Sequence, residues 1–219
     1  MPDDAPFNPL ADRYAETHSA IEARVLGHGL EVQTLPDCGG LRLWLLRGDV
    51  DLNTKCNELL NATRLPFWAF CWGAGQALAR LLLREPERVR GKCVVDFGAG
   101  SGVAAIAAAR AGAARVIAID ADPRAREMCL ANAELNRVQV EVQSELPFEW
   151  DVLLATDVLY ENSNLAYLEQ LARSGKTVLI GDPVRAGTPS PRCEPFQTLQ
   201  ARTFPDVDYP HQRVHLYQL

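Results

Sequence analysis

Residues 94–102, VVDFGAGSG, set an apolar run, one carboxylate and three glycines directly ahead of the alanine-rich stretch 103–109. That order specifies a strand, a tight loop and a helix N-terminus, a unit suited to cradling a nucleotide-like ligand. Gly98, Gly100 and Gly102 follow G-x-G-x-G, one residue tighter than the G-x-G-x-x-G that wraps a dinucleotide pyrophosphate. Asp96, expected at the mouth of the loop, would repel a diphosphate and attract a ligand carrying an ammonium group. Residues 115–120, RVIAID, read as a β-branched strand ending in Asp120, about 20 residues past the loop, where a ribose-binding acid belongs. Asp120 and Asp122 also suit caps of the next helix, with Pro123 in its first turn; both roles hold if Asp120 takes the ribose and Asp122 the cap. A ligand combining an adenosine, an α-ammonium and a sulfonium, S-adenosylmethionine, fits these groups better than NAD does.

From residue 90 onward strand and helix patterns alternate, the mark of a parallel sheet with helices on both faces. Strands are expected over 93–96, 115–119, 138–142, 151–156 and 177–180, and helices over 103–111, 123–135 and 165–173. The tail, 202–219, alternates only in part and suggests two strands joined around Pro210. Ahead of this region, 12–26 has helical spacing, and 30–34 and 41–46 read as short strands around Asp37-Cys38-Gly39-Gly40. Over 70–83, Ala74, Ala77, Leu78, Leu81 and Leu82 share one helical face, closed before Pro86. A chain of 219 residues, 47% hydrophobic, accommodates one domain with an appendage: an accessory segment over 1–64 and the main domain over 65–219.

A formal charge of −6 without a Lys/Arg-dense stripe argues against nucleic acid as the main partner. The six cysteines are scattered, with no C-x-x-C pair, which points to a reducing, cytoplasmic setting. The N-terminus lacks a basic and apolar leader, and no apolar run reaches membrane-spanning length, so no membrane association is expected. His211 and His215 fall in an expected strand, where an i, i+4 spacing makes no ligand pair; no metal is expected. Cys71 has no evident base beside it and is a poor candidate nucleophile.

Ligands of open parallel sheets bind beyond the carboxyl ends of the strands. There the chain carries Asp157-Val158-Leu159-Tyr160, followed by Glu161, and then Gly181-Asp182-Pro183, while LPFWAFCWGAG at 65–75 brings Trp68 and Trp72 ahead of the helix that precedes the glycine loop. The glycine loop resembles motif I of the class I methyltransferases, and D-x-x-Y resembles the motif after strand four of seven-β-strand protein lysine methyltransferases. Together, over roughly 65–183, these motifs resemble the branch that contains the electron-transfer flavoprotein β-subunit lysine methyltransferase.

The resemblance implies a Rossmann-like, seven-stranded, mostly parallel sheet with an antiparallel C-terminal hairpin. It implies S-adenosylmethionine as cofactor, bound by Asp96, Gly98, Gly100, Gly102 and Asp120. It also implies methyl transfer to an amine, with a protein lysine as acceptor and the electron-transfer flavoprotein β-subunit as the partner it suggests. A small-molecule N-methyltransferase and a non-catalytic S-adenosyl-binding module are the alternatives. A lysine of pKa ~10.4 is not efficiently deprotonated by a carboxylate of pKa ~3.9, so Asp157 is cast as an orienter of the amine, with Tyr160 as a wall or hydroxyl acceptor. Without the resemblance, Asp157 reads equally as a helix N-cap and Tyr160 as packing. Trp68 and Trp72 are either core residues or flank the cofactor through cation–π contact. Asn132 and Asn136 are expected to support the pocket or, for Asn136, to cap a helix, and the adenine edge is expected near 144–146 with Trp150 nearby.

Overall fold

The computed structural model describes residues 30–48, 66–183, 185, 189–205 and 213–219. The helix expected over 12–26, the domain boundary at 64/65, Pro210 and His211 lie outside the described residues. Strands β1 (Leu30–Leu35) and β2 (Leu41–Leu46) pair as an antiparallel hairpin, Leu30 opposite Leu46. Helix α1 (Gly73–Arg84) follows a single 3-10 turn (Phe67–Ala69). Then come β3 (Cys93–Phe97), α2 (Val103–Arg110), β4 (Arg115–Ile119), α3 (Pro123–Leu135), β5 (Glu141–Gln143), β6 (Val152–Thr156), α4 (Asn162–Ala172), β7 (Thr177–Pro183), β8 (Gln197–Gln200) and β9 (Arg213–Gln218).

The main sheet has seven strands in the order β5-β4-β3-β6-β7-β9-β8. β5, β4, β3, β6 and β7 run parallel, and β9 pairs antiparallel with both β7 and β8. The central strands read as continuous apolar runs because both their faces are covered. On one face Val94, Val116, Val152, Leu154, Leu179 and Leu216 pack with α1, α2, α3 and the β1–β2 hairpin. On the other, Val95, Ile117, Leu153, Val178 and Ile180 meet Leu159, Trp150 and Leu168 of α4. The small side chains of α2, buried from Val103 to Ala108, let that helix sit close to the sheet and to α1.

Several boundaries differ from expectation, among them the end of β7, at Pro183 rather than 180, and the start of α1, at Gly73 rather than 70. The third strand begins at Glu141 rather than 138, since Asn136 and Arg137, the latter at φ 56, turn the chain out of α3 and Val138 N–H still donates to Ala133 O. The first tail strand is 197–200, ahead of the expected 202–219, because the segment behind it runs along α1 instead of joining the sheet: Gln76 donates to Arg202 O and Gly73 N–H to Thr203 Oγ1. The last helix starts three residues early, at Asn162. The connection 144–151 from β5 to β6 holds no helix.

Candidate active site

The glycine loop leaves β3 and enters α2 with every glycine at positive φ, a region open to Gly at no steric cost. At Gly98 a Cβ would stand 2.8 Å from Val158 Cγ1, so the loop lies directly against the turn after β6. At Gly102, the last residue before α2, a Cβ would meet Cys129 Sγ at 2.5 Å. Gly100 is different: the nearest atom to its Cβ position is Trp68 Cα at 3.9 Å, ordinary van der Waals contact, so the positive φ rather than a clash is what calls for glycine there.

Asp96 is not at the mouth of this loop. It is 1% exposed, beneath the loop, where one oxygen accepts the Ala105 N–H at 2.9 Å and so caps the first turn of α2. Its other oxygen, Oδ1, is buried without a hydrogen-bond partner. Burial pushes its pKa up to about 7 against the Ala105 bond, and the charge of Asp120 acts in the same upward direction. Asp120 is half-buried beside the loop and accepts from Gly100 N–H at 3.0 Å and from Asp122 N–H at 2.9 Å. Asp122 caps α3 through Arg124 N–H, with Pro123 in the first turn. Asn132, fully buried, donates to Ser101 O at 2.9 Å and accepts Trp44 N–H at 2.7 Å, tying the loop to β2. Asn136 is the C-cap of α3 and also clasps both backbone groups of Arg42.

Asp157 stands at the carboxyl end of β6 with φ 56, its N–H bonded to Gly181 O at 3.0 Å. Its side chain is 8% exposed and accepts from Arg185 at 2.6 Å. It is not the N-cap of α4, which is Glu161. Tyr160 is 62% exposed, so it is not packing in the core. Asp182, buried in β7, has a pKa raised to about 7 by burial and by Asp157, with Arg185 and a Leu159 backbone bond pulling the other way.

Trp68 is buried with Leu46, Phe70, Ala125 and Met128, its backbone against the loop. Trp72 is half-buried, donates Nε1–H to Phe67 O and leans on Phe67 and Phe70. Asp120 N–H donates to Gln143 O, so residues 144–146 leave the sheet beside the ribose candidate. Trp150 does not join them: it precedes β6 at the opposite end of the sheet, under Lys176. His215 contacts Tyr217 Oη through Nδ1 at 3.0 Å. Among the described residues no His/Cys/Asp/Glu group is placed to hold a metal, and no helix is long and apolar enough to cross a membrane.

The family model for the ribosomal protein L11 methyltransferase (PrmA) matches residues 76–180. The human electron transfer flavoprotein beta subunit lysine methyltransferase is 41% identical over 131 residues, 55% of this chain and 50% of that protein. The ribosomal protein L11 methyltransferase of Aeromonas hydrophila is 45% identical over 134 residues, 61% of this chain and 45% of that one. The chain thus spans about half the length of the curated relatives it matches. A crystal structure of "a putative RNA methyltransferase" from Pyrococcus horikoshii superposes with a TM-score of 0.51 at 19% identity over 66% of this chain and 81% of that one, a likeness of fold.

Strand order, glycine loop and antiparallel β9 together define the class I S-adenosylmethionine-dependent methyltransferase fold. The sequence within that fold is similar to the ribosomal protein L11 methyltransferases and the electron-transfer flavoprotein β-subunit lysine methyltransferases. The residues present suit the cofactor of the class: a buried acceptor oxygen on Asp96 lacks a partner, the glycine loop turns at three positive-φ glycines, and Asp120 is a half-buried carboxylate at the strand end beside it. Sequence reasoning missed Arg185 and Thr203. A basic residue two positions past G-D-P was the one available signal for Arg185; Thr203 carried none.

Proposed function

We propose that this chain is an S-adenosylmethionine-dependent protein-lysine N-methyltransferase. The observation that carries this reading is the close seating of the D-x-x-Y turn on the glycine loop, Val158 against Gly98, which puts Asp157 beside the place where the methyl donor binds. When bound, the cofactor supplies an electrophilic methyl on sulfonium. Asp120 holds the ribose, Asp96 contributes its buried oxygen from below, and Gly98, Gly100 and Gly102 let the backbone approach. Trp68 backs the loop at Gly100, and Trp72 braces the segment that carries Trp68. Asp157 accepts a hydrogen bond from the acceptor amine and aims its lone pair, a matter of holding reacting atoms ~3–3.5 Å apart. Exposed Tyr160 and Phe67 give the protein an open, aromatic surface that suits a macromolecular acceptor better than a metabolite.

The relatives are named for the electron-transfer flavoprotein β-subunit and for ribosomal protein L11, and a lysine of the former is the acceptor we put first. We further place the accessory segment at 1–64, the methyltransferase domain at 65–219 and the protein in the cytoplasm. Purified enzyme with methyl-labelled cofactor is incubated with host lysate and with each of these two proteins, and the products are read by mass spectrometry. Label on a protein lysine is the expected result. Label confined to small molecules makes the chain a metabolite N-methyltransferase, and cofactor binding without transfer makes it a binding module.

A further inference from the structure

A carboxylate beside an acceptor lysine has a built-in conflict. It orients the amine, but its charge also stabilises the ammonium, which has no lone pair and cannot attack. The structure holds a second charge at this point. Arg185 donates to Asp157 Oδ1 at 2.6 Å, with the guanidinium partly exposed and the carboxylate almost fully buried.

We propose that Arg185 is a positioning residue for the methyl transfer: paired with Asp157, it leaves the acceptor lysine a carboxylate to hydrogen-bond while its own positive charge disfavours the ammonium form, so that the amine is presented neutral. This rests on the lysine methyltransferase reading above. The lysine Nζ sheds one proton to solvent, its lone pair forms the N–C bond, and the C–S electron pair remains on sulfur, leaving a methylammonium.

The charge balance around the pair supports this assignment. Among the described residues, Asp182 comes from β7 and His215 and Tyr217 from β9, with Asp182 opposite His215 across the strand pair. Cys193 and Glu194 act on Tyr217 from the segment ahead of β8. Tyr160 and Glu161, on the turn itself, are exposed. Asp182 adds a further carboxylate, part-protonated near neutral pH, and the cation that lowers it is again Arg185. Without Arg185 the amine would face Asp157 and Asp182 uncompensated.

The pH dependence of kcat reports groups in the enzyme–substrate complex, so it reads the bound amine. With the electron-transfer flavoprotein β-subunit and ribosomal protein L11 as acceptors, Arg185→Gln is expected to move the acid limb of kcat about one pH unit upward. Activity near neutral pH then falls about tenfold and returns in alkaline buffer. Arg185→Lys, which keeps a cation, is expected to hold the wild-type profile.

Calorimetry of complex formation near pH 9, in buffers of differing ionisation enthalpy, is expected to show more proton release with wild type than with Arg185→Gln. The shift must persist in an Asp182→Asn background; if it vanishes there, the limb belongs to Asp182 and the inference fails. A purely structural role would lower kcat by one factor at every pH, and that result overturns the inference while leaving the lysine methyltransferase reading intact. A wild-type enzyme inert toward both acceptors overturns the substrate reading and this inference together.

Discussion

Asp157→Asn keeps the size of the side chain and one acceptor oxygen but removes the charge that meets Arg185. S-adenosylhomocysteine affinity, measured by calorimetry, is expected to stay within about threefold of wild type, while turnover falls about 10²-fold or more through lost positioning. Asp96 carries a different prediction. Its pKa is 3.8 as a free side chain and about 7 in the fold, so the protonated form favours the folded state; that contribution is complete below about pH 4 and is lost as pH rises through about 7. Asp96→Asn retains an acceptor for Ala105 N–H without the charge. The wild-type Tm, measured without cofactor, is therefore expected to gain on that of the variant as pH is lowered from about 8 to about 5. Asp157 was legible from sequence because a short motif fixes its place after an apolar strand. The depth of Asp96 was not, since facing the loop's mouth or its floor depends on the pleat of β3, and the partner of Asp157 was hidden because one arginine in a loop leaves no periodic trace.

At the scale of elements, the joint between the β1–β2 hairpin, α3 and the glycine loop is made by Asn132. Its removal in Asn132→Ala strands Ser101 O and Trp44 N–H, and each unsatisfied buried group costs about 1–3 kcal/mol. We expect chemical denaturation to show a loss of about 2–5 kcal/mol, together with weaker S-adenosylhomocysteine binding because the loop is no longer tethered. Thermodynamics alone would move the first readout; only a role in shaping the pocket moves the second. Most elements were legible: parallel strands announced themselves as apolar runs, and α1 showed its buried stripe. The misplaced ones share a cause. Residues 138–140 alternate like a strand, yet the chain needs them to leave α3, and 201–204 contains apolar residues, Ala201 and Phe204, that pack in the core beside α1 rather than in the sheet. Both are tertiary demands that local pattern does not encode.

For the whole molecule, a ligand that binds only the folded state stabilises it by about 2.7 kcal/mol at one hundred times its Kd. In a chain of this size that corresponds to a Tm rise of about 5–10 °C. S-adenosylhomocysteine is expected to produce that rise and NAD to produce none, and a thermal scan with each decides the matter. That the sheet is mostly parallel with helices on both faces was foreseeable from the succession of strand and helix patterns; what was not is how the chain returns from its edge to its middle. Between Gln143 and Val152 it must pass two strands, about 14 Å sideways at ~4.8 Å per strand, and drop back about 10 Å along them. That is a journey of some ~17 Å. Eight residues coiled as a helix would cover only ~12 Å, so the passage is bound to be drawn out, a strap in place of a cylinder. Straps tolerate slack better than shortening: inserting glycines beside the solvent-facing Phe148 should leave thermal stability nearly untouched, whereas excising four residues should pull β5 off the edge of the sheet.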